Sequence, residues 1–347
     1  GTFRGSYWRG KDCDDIRDEI YPGRKSTDYP ASVDHNCNGI YGMDQNGTLW
    51  EDKLCGDTPQ FGTAILGDSA AAHFHIPVDW VNPLKITETT FDSILRIAEN
   101  EFDWPEMSAT TGYTNIGWIG HPNGIVNSSY VNALQNNRCT MRDYQNCGVN
   151  GARTSSMASN IMYSYARNQE EDFPAILTYA LIGNDVCNPH PGFSHMTTPT
   201  EFYDNVVTAM DYLDTQLPMG SHVILMGLAD GLILYESMAE RIYPLGELRQ
   251  DVTYGDVYDY LNCLQISPCY GWTNSHAAIR NATQHRANNL TAQYLKVIEN
   301  NSYEHFDMHF INCPVGQVVD LWEQNGGEAW QLIEAVDGFH PNQMSNA

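Results

Sequence analysis

Basic residues are scarce in this chain: 18 Lys and Arg stand against 43 Asp and Glu, a formal net charge of -25. That deficit excludes a nucleic-acid partner, because phosphate binding needs clustered Lys and Arg. Charged residues of either sign make up only 18% of the chain while 42% is hydrophobic, which excludes a disordered polymer and describes a packed globule. No run of about 18 apolar residues occurs, so no transmembrane helix is predicted. Internal repeats and low-complexity tracts are also missing. Gly1-Thr2-Phe3-Arg4 lacks the apolar core of a signal peptide, so any targeting segment is expected to lie upstream or to have been removed. A length of 347 residues suits one large α/β domain with insertions.

Cysteine, by contrast, is plentiful. Nine cysteines and five Asn-x-Ser/Thr sequons, at Asn46, Asn127, Asn281, Asn289 and Asn300, predict disulfides, glycosylation and a secretory route to a secreted or lysosomal (vesicular) destination. An odd count leaves at least one thiol unpaired within the chain, which points to an intermolecular disulfide or a missing segment.

Residues 1–57 carry little periodicity and are dense in Asp, Asn, Gly and Cys; they read as a loop-rich, metal- and disulfide-organised segment, followed by a hydrolase-like domain over 58–347. From there apolar runs predict buried parallel strands at 63–67, 175–182, 222–227 and 305–311. Between them, 90–100, 155–168, 200–216 and 282–299 are compatible with helices. Strands alternating with helices predict right-handed βαβ crossovers and a parallel sheet flanked by helices. The stretch 233–281, rich in Tyr, Cys, Gly and Pro, reads as an insertion beside the site.

Polar clusters follow several of these strands, where ligands bind in such sheets. Gly67-Asp68-Ser69 puts a hydroxyl at a strand-to-helix turn. Asn150-Gly151-Ala152 contains a glycine that lets a backbone N–H approach a substrate oxygen. Asn184, in Gly183-Asn184-Asp185, offers a side-chain amide to a developing oxyanion. Asp337-Gly338-Phe339-His340 supplies an imidazole and a carboxylate from one short loop, the pair that activates a serine hydroxyl.

In that order and at those positions the clusters resemble the SGNH hydrolases, the GDSL-type lipases and esterases, whose four blocks supply Ser, Gly, Asn and His. The longer strings, Gly67 to Ile76, Arg142 to Asn146, Ile182 to Cys187, and Trp330 to Asn342, resemble the acyloxyacyl hydrolase family within that superfamily. So do Tyr21-Pro22-Gly23-Arg24 and Asn36 to Ile40. The resemblance implies an SGNH (flavodoxin-like) α/β fold and a serine esterase acting on fatty acyl esters of lipids, either secondary acyl chains of lipopolysaccharide lipid A or phospholipids. It assigns Ser69 as nucleophile, His340 as general base, Asp337 as the partner that orients it, and the N–H groups of Ala70 and Gly151 with the Asn184 amide as the oxyanion hole. It also implies a disulfide-linked, saposin-like small subunit. No six-cysteine helical module for it occurs in this chain, and Cys263 is the candidate intersubunit thiol. Cys147 and Cys313 are extra relative to the family pattern and are candidates to pair with each other. The chain stops seven residues after His340, where the superfamily continues into a closing helix.

The acidic lead-in carries its own chemistry. Asp34-x-Asn36-x-Asn38-Gly39-Ile40 alternates oxygen donors before a glycine and a carbonyl, which suits calcium, a hard cation wanting six to eight oxygens. Asp44, Asn46 and Glu51 extend this set, and Asp12, Asp14, Asp15 and Asp18 offer a second; an ion at Asn46 would preclude a glycan there. Flanking helices and a position-twelve acid are missing, so this is not an EF-hand. His73-x-His75 lacks a third zinc ligand and is read as packing or as a substrate contact. Two other classes stay open: a carbohydrate O-acetylesterase built on the same blocks, and a non-catalytic lipid- or glycan-binding relative.

Overall fold

Gly62–Gly67 (β1) and Ala175–Ala180 (β3) are uncharged runs buried almost throughout, and in the computed structural model they lie at the centre of a five-stranded parallel sheet. The structure describes residues 5, 7–25, 30–114 and 126–346; Gly1 to Arg4, where a leader would be sought, lie outside the described residues. Tyr144–Gly148 (β2), Ser221–Met226 (β4) and Phe306–Ile311 (β5) complete the sheet in the order β2-β1-β3-β4-β5. This is the flavodoxin-like order, whose chain reverses direction across the sheet between β1 and β3, and ligands bind at that switch point beyond the carboxyl ends.

Alternation along β1 divides the core. Ala64 and Leu66 join the main cluster, which is shared with helices Pro199–Asp214 and Ala277–Asn300, while Ile65 packs with Ala71, Ala180, Ile182 and Met226. Helix Pro199–Asp214 begins with a capping box in which Thr198 and Glu201 each accept the other's backbone N–H.

Four strands fall where the apolar runs predict them; β2 does not, because Tyr-Gln-Asn-Cys-Gly is too polar to read as one. Its burial comes from elsewhere. The N-terminal segment pairs with it through Gly10 N–H to the Tyr144 carbonyl at 3.0 Å and Asn146 N–H to the Trp8 carbonyl at 2.7 Å. The Asn146 amide is satisfied inside by the Ala71 carbonyl and Thr111 Oγ1. The helix expected over 155–168 is Thr154–Ser159, ended by Asn160 at φ -149°, ψ -54° and followed by a 3-10 turn over Ile161–Ser164. That expected over 90–100 is confined to Ile94–Glu99, whereas the one over 282–299 extends to Ala277–Asn300.

Three disulfides form: Cys13–Cys37, Cys55–Cys139 and Cys187–Cys269. The proposed Cys147–Cys313 pair does not. Cys147 lies in β2 and Cys313 just beyond β5, at opposite edges of the sheet, too far apart to be joined. Cys263 lies outside the three disulfides and is exposed. Among the described residues no helix is long and apolar enough to cross a membrane.

Candidate active site

The nucleophile turn begins where β1 stops. A Cβ on Gly67 would lie 2.4 Å from the Ala71 Cβ and 3.0 Å from the Ala180 carbonyl, so only glycine lets the following helix, Ser69–Ala72, pack back so tightly. Asp68 caps that helix: its Oδ1 accepts from Ala70 N–H at 3.0 Å and its Oδ2 from Ile182 N–H at 2.9 Å. One carboxylate thus ties the ends of β1 and β3 together and does not reach the reacting groups. Burial pushes its acid up to about 6, against the opposing pull of the N–H groups it accepts from and of His340.

His340 Nε2 is 2.7 Å from Ser69 Oγ, and its Nδ1 is 2.5 Å from Asp337 Oδ2. The other oxygen of Asp337 accepts the N–H groups of Phe339 and His340 at 2.8 and 3.1 Å, so the carboxylate fixes both the ring and the backbone that bears it. For both groups burial opposes the charged form, but their mutual attraction and hydrogen bond prevail. Asp337 is held below its ordinary value and His340 above its own.

Around Ser69 the expected oxyanion donors divide. Asn184 and Gly151 line the same groove as Ser69 and His340, with the Asn184 amide unpartnered among the described residues. Gly151 adopts φ +73° with open space at its Cβ position. The Ala70 N–H is a correction: it is directed at Asp68 Oδ1, whereas the N–H of Ser69 has no acceptor among the described residues and is the donor left at this turn. Sequence reading missed the brace behind these donors. Buried Asp185 accepts from Thr154 N–H at 3.1 Å, Thr154 Oγ1 at 2.7 Å and Thr197 Oγ1 at 2.6 Å, locking the Asn184 turn to the helix that follows Gly151.

Three tyrosines, also missed, hold the histidine loop. Tyr254, Tyr258 and Tyr243 donate their hydroxyls to the carbonyls of Ala335, Gly338 and Val336 at 2.5, 2.5 and 2.7 Å. All belong to the 233–281 insertion, and the only sequence signal for them is its richness in tyrosine and the i,i+4 spacing of Tyr254 and Tyr258 on helix Tyr254–Leu264. His73 and His75 face different partners. His73 Nδ1 meets the Asn346 amide, and His75 Nδ1 meets Glu334 Oε2 at 2.7 Å.

Two spaces open from Ser69. One, of about 680 Å³, is walled by Ile182, Ile233, Leu234, Trp272, Val319 and Leu332. The other, of about 700 Å³, is lined by Asn150, Gly151, Arg153, Asn188 and Ser267. Ser69, Asn184, Phe339 and His340 border both, so an ester carbon at Ser69 would have a strongly apolar side and a mixed side, where Phe74, Pro189 and Pro268 stand among the polar groups.

The acidic lead-in sorts its candidate ligands. Glu51 Oε1 lies 2.7 Å from the side-chain amide of Asn36 and 2.5 Å from that of Asn38, both nearly fully buried. Asp34 folds over the same turn, accepting from Asn38 and Gly39 N–H, and Asp12 sits beside Cys37 within it. The two amides turn their nitrogens to Glu51 while their oxygens accept the N–H groups of Asn38 and Ile40, so the donors gathered at this turn that suit a hard cation such as calcium are the carboxylates of Glu51, Asp34 and Asp12. Asp14 is instead taken by Arg17 at 2.5 Å and Asp44 by Lys53 at 3.0 Å, each also capping its own turn. Asp15 and Asp18 are exposed, as are the sequon residues Asn46, Asn127, Asn281, Asn289 and Asn300.

Residues 64–347 match the GDSL-like lipase/acylhydrolase family. An acyloxyacyl hydrolase from Oryctolagus cuniculus is 42% identical over 347 residues, covering 99% of this chain and 60% of that protein. The acyloxyacyl hydrolases of Homo sapiens and Mus musculus are each 40% identical, covering 99% of this chain and 59% and 60% of theirs. The chain therefore spans about 60% of the length of the curated relatives it matches. A carbohydrate esterase family 3 structure from Talaromyces cellulolyticus covers 82% of the chain and 90% of its own length at 12% identity, with a TM-score of 0.34. That likeness is too loose to bear on substrate.

Proposed function

Because this chain belongs to the GDSL-like lipase/acylhydrolase family, we propose that it is a serine esterase releasing fatty acyl chains from lipids, with acyloxyacyl-type esters of lipopolysaccharide lipid A as the preferred substrate and phospholipids as a further one. What supports the reading is one juxtaposition: a serine hydroxyl 2.7 Å from an imidazole, at the mouth of an apolar cavity of about 680 Å³. The names of its relatives point to the same substrate class.

In this mechanism His340 Nε2 takes the Ser69 proton as Oγ attacks the acyl carbonyl, and the oxyanion is received by the N–H groups of Ser69 and Gly151 and by the Asn184 amide. The imidazolium formed is stabilised by Asp337 and returns its proton to the leaving alkoxide. Water, deprotonated by the same nitrogen, then hydrolyses the acyl enzyme. The acyl chain occupies the apolar cavity and the alcohol portion the mixed groove.

The lead-in, by the same proposal, holds calcium through Asp34, Asn36, Asn38, Glu51 and the Ile40 carbonyl, with Asp12 adjacent, and there the ion would offset clustered acid and rigidify the loop. Exposed Cys263 is proposed to join a saposin-like small subunit, in a protein that is secreted or vesicular.

The test is reaction with a fluorophosphonate followed by peptide mapping, alongside hydrolysis of long-chain acyl lipids and acetylated sugars. Labelling at Ser69, lost in Ser69→Ala together with release of long acyl chains, is expected. Hydrolysis confined to acetyl groups would sink the lipid reading, and full activity in Ser69→Ala would sink the serine mechanism.

A further inference from the structure

We propose that His75 and Glu334 are positioning residues: as a neutral, hydrogen-bonded pair they hold the loop of Asp337 and His340 against the segment that carries Ser69. The inference rests on the serine-esterase reading above.

The pair bridges the two halves of the site. His75 lies six residues beyond Ser69 on the same short segment, and Glu334 three residues before Asp337. Their side chains meet at 2.7 Å and are buried, with residue exposures of 7% and 3%. Glu334 also ties its own loop with both backbone groups. Its N–H donates to the His340 carbonyl at 2.8 Å and its carbonyl accepts Gly338 N–H at 2.9 Å. Movement of Glu334 would therefore carry His340 with it. On the other side, His75 is anchored by its N–H to the Phe102 carbonyl at 2.9 Å, and its carbonyl accepts from Trp104 Nε1 at 3.2 Å.

The surroundings decide the protonation state. No Lys or Arg is ion-paired to Glu334 among the described residues. Titratable groups facing the pair include Asp337, His340 and Tyr254. An ionised Glu334 would add a second buried negative charge beside Asp337. Burial, reinforced by Asp337, drives the Glu334 acid well upward, while burial takes His75 down to about 4 despite Asp337. The bond is then Glu334 O–H donated to His75 Nδ1, with the remaining imidazole proton on Nε2. A neutral brace of this kind joins the two segments without competing with Asp337 for the charge of His340.

The experiment compares Glu334→Gln with Glu334→Ala in the full chain, reading kcat, KM on a short soluble ester, the pH profile of kcat/KM, and the rate of fluorophosphonate labelling. The Gln amide reproduces a neutral donor to His75, so E334Q is expected to keep kcat/KM within about twofold and the same acidic limb. E334A is expected to lose about tenfold or more in kcat and labelling rate with little change in KM, the signature of a displaced base. Should E334A not fold, Glu334→Asp, which keeps the acid but withdraws it from His75, is read in the same way. Wild-type kcat and labelling in folded E334A or E334D would overturn the positioning role. An acidic limb displaced to lower pH in E334Q would show that a negative charge had been removed, and would overturn the neutral pair. Neither result touches the serine reading, which Ser69→Ala tests separately.

Discussion

The Tyr258 hydroxyl donates to the Gly338 carbonyl at 2.5 Å, two residues from the imidazole that faces Ser69. Gly338 sits at φ +61°, and a Cβ there would meet Tyr258 Oη at 2.6 Å and Tyr254 Cδ1 at 2.8 Å. Backbone conformation and clamp thus require each other. Tyr258→Phe is expected to cost about 1 kcal/mol of stability and several-fold in kcat, as for one lost hydrogen bond. Gly338→Ala adds left-handed strain to the clash and is expected to lower kcat at least ~100-fold. Thermal melts with steady-state kinetics on a soluble ester check both; wild-type kcat in Gly338→Ala would show that the clamp does not aim the ring.

The Asn184 amide has no hydrogen-bond partner among the described residues, and the proposed mechanism gives it an oxyanion to donate to. Asn184→Ala is expected to lower kcat by ~10²–10³-fold with KM nearly unchanged, the cost of one oxyanion donor. Thermal stability should be unaltered, since the amide has no partner among the described residues. A change confined to KM would assign Asn184 to ground-state binding instead.

The rate should rise with pH on its acidic side. His340 is held above its ordinary 6.5, because attraction and hydrogen bonding by Asp337 outweigh the opposing effect of burial. A general base must be neutral, so kcat/KM is expected to climb as pH passes upward through a value above 6.5 and then to level off. Removing the carboxylate charge in Asp337→Asn should shift that limb to lower pH while the plateau falls by ~10³–10⁴-fold. A limb that stays in place would mean that another group controls it.

For the lead-in, chelation is expected to lower the melting temperature by roughly 5 °C, as for a tightly held structural ion. Glu51→Gln should melt near the chelated wild type and no longer respond to added calcium. Lys53→Ala, which frees Asp44 from its ion pair, should leave the response to chelation intact. A chelation response of unchanged size in Glu51→Gln would move the ion elsewhere.

Much of this protein was legible in its residues because local chemistry carries the signal. Short uncharged runs bounded by turns read as interior strands, so β1 and β3 were readable, and Gly67-Asp68-Ser69, Asn184 and Asp337-Gly338-Phe339-His340 gained their meaning from their order and from standing at strand ends or in a loop. β2 was not readable, since its polar residues are buried only through partners supplied by Trp8, Gly10, Ala71 and Thr111. The sequence by itself determined which groups are candidates for the chemistry: a hydroxyl, an imidazole, a carboxylate and an amide. Only the tertiary structure decided how they are aimed, that Asp68 claims the Ala70 N–H, that three distant tyrosines hold the histidine loop, that Glu334 meets His75, and that Cys147 and Cys313 stand apart. Each of those depends on contacts between residues far apart in the chain, and their hydrogen-bond partners are set by packing, which no local pattern of residues encodes.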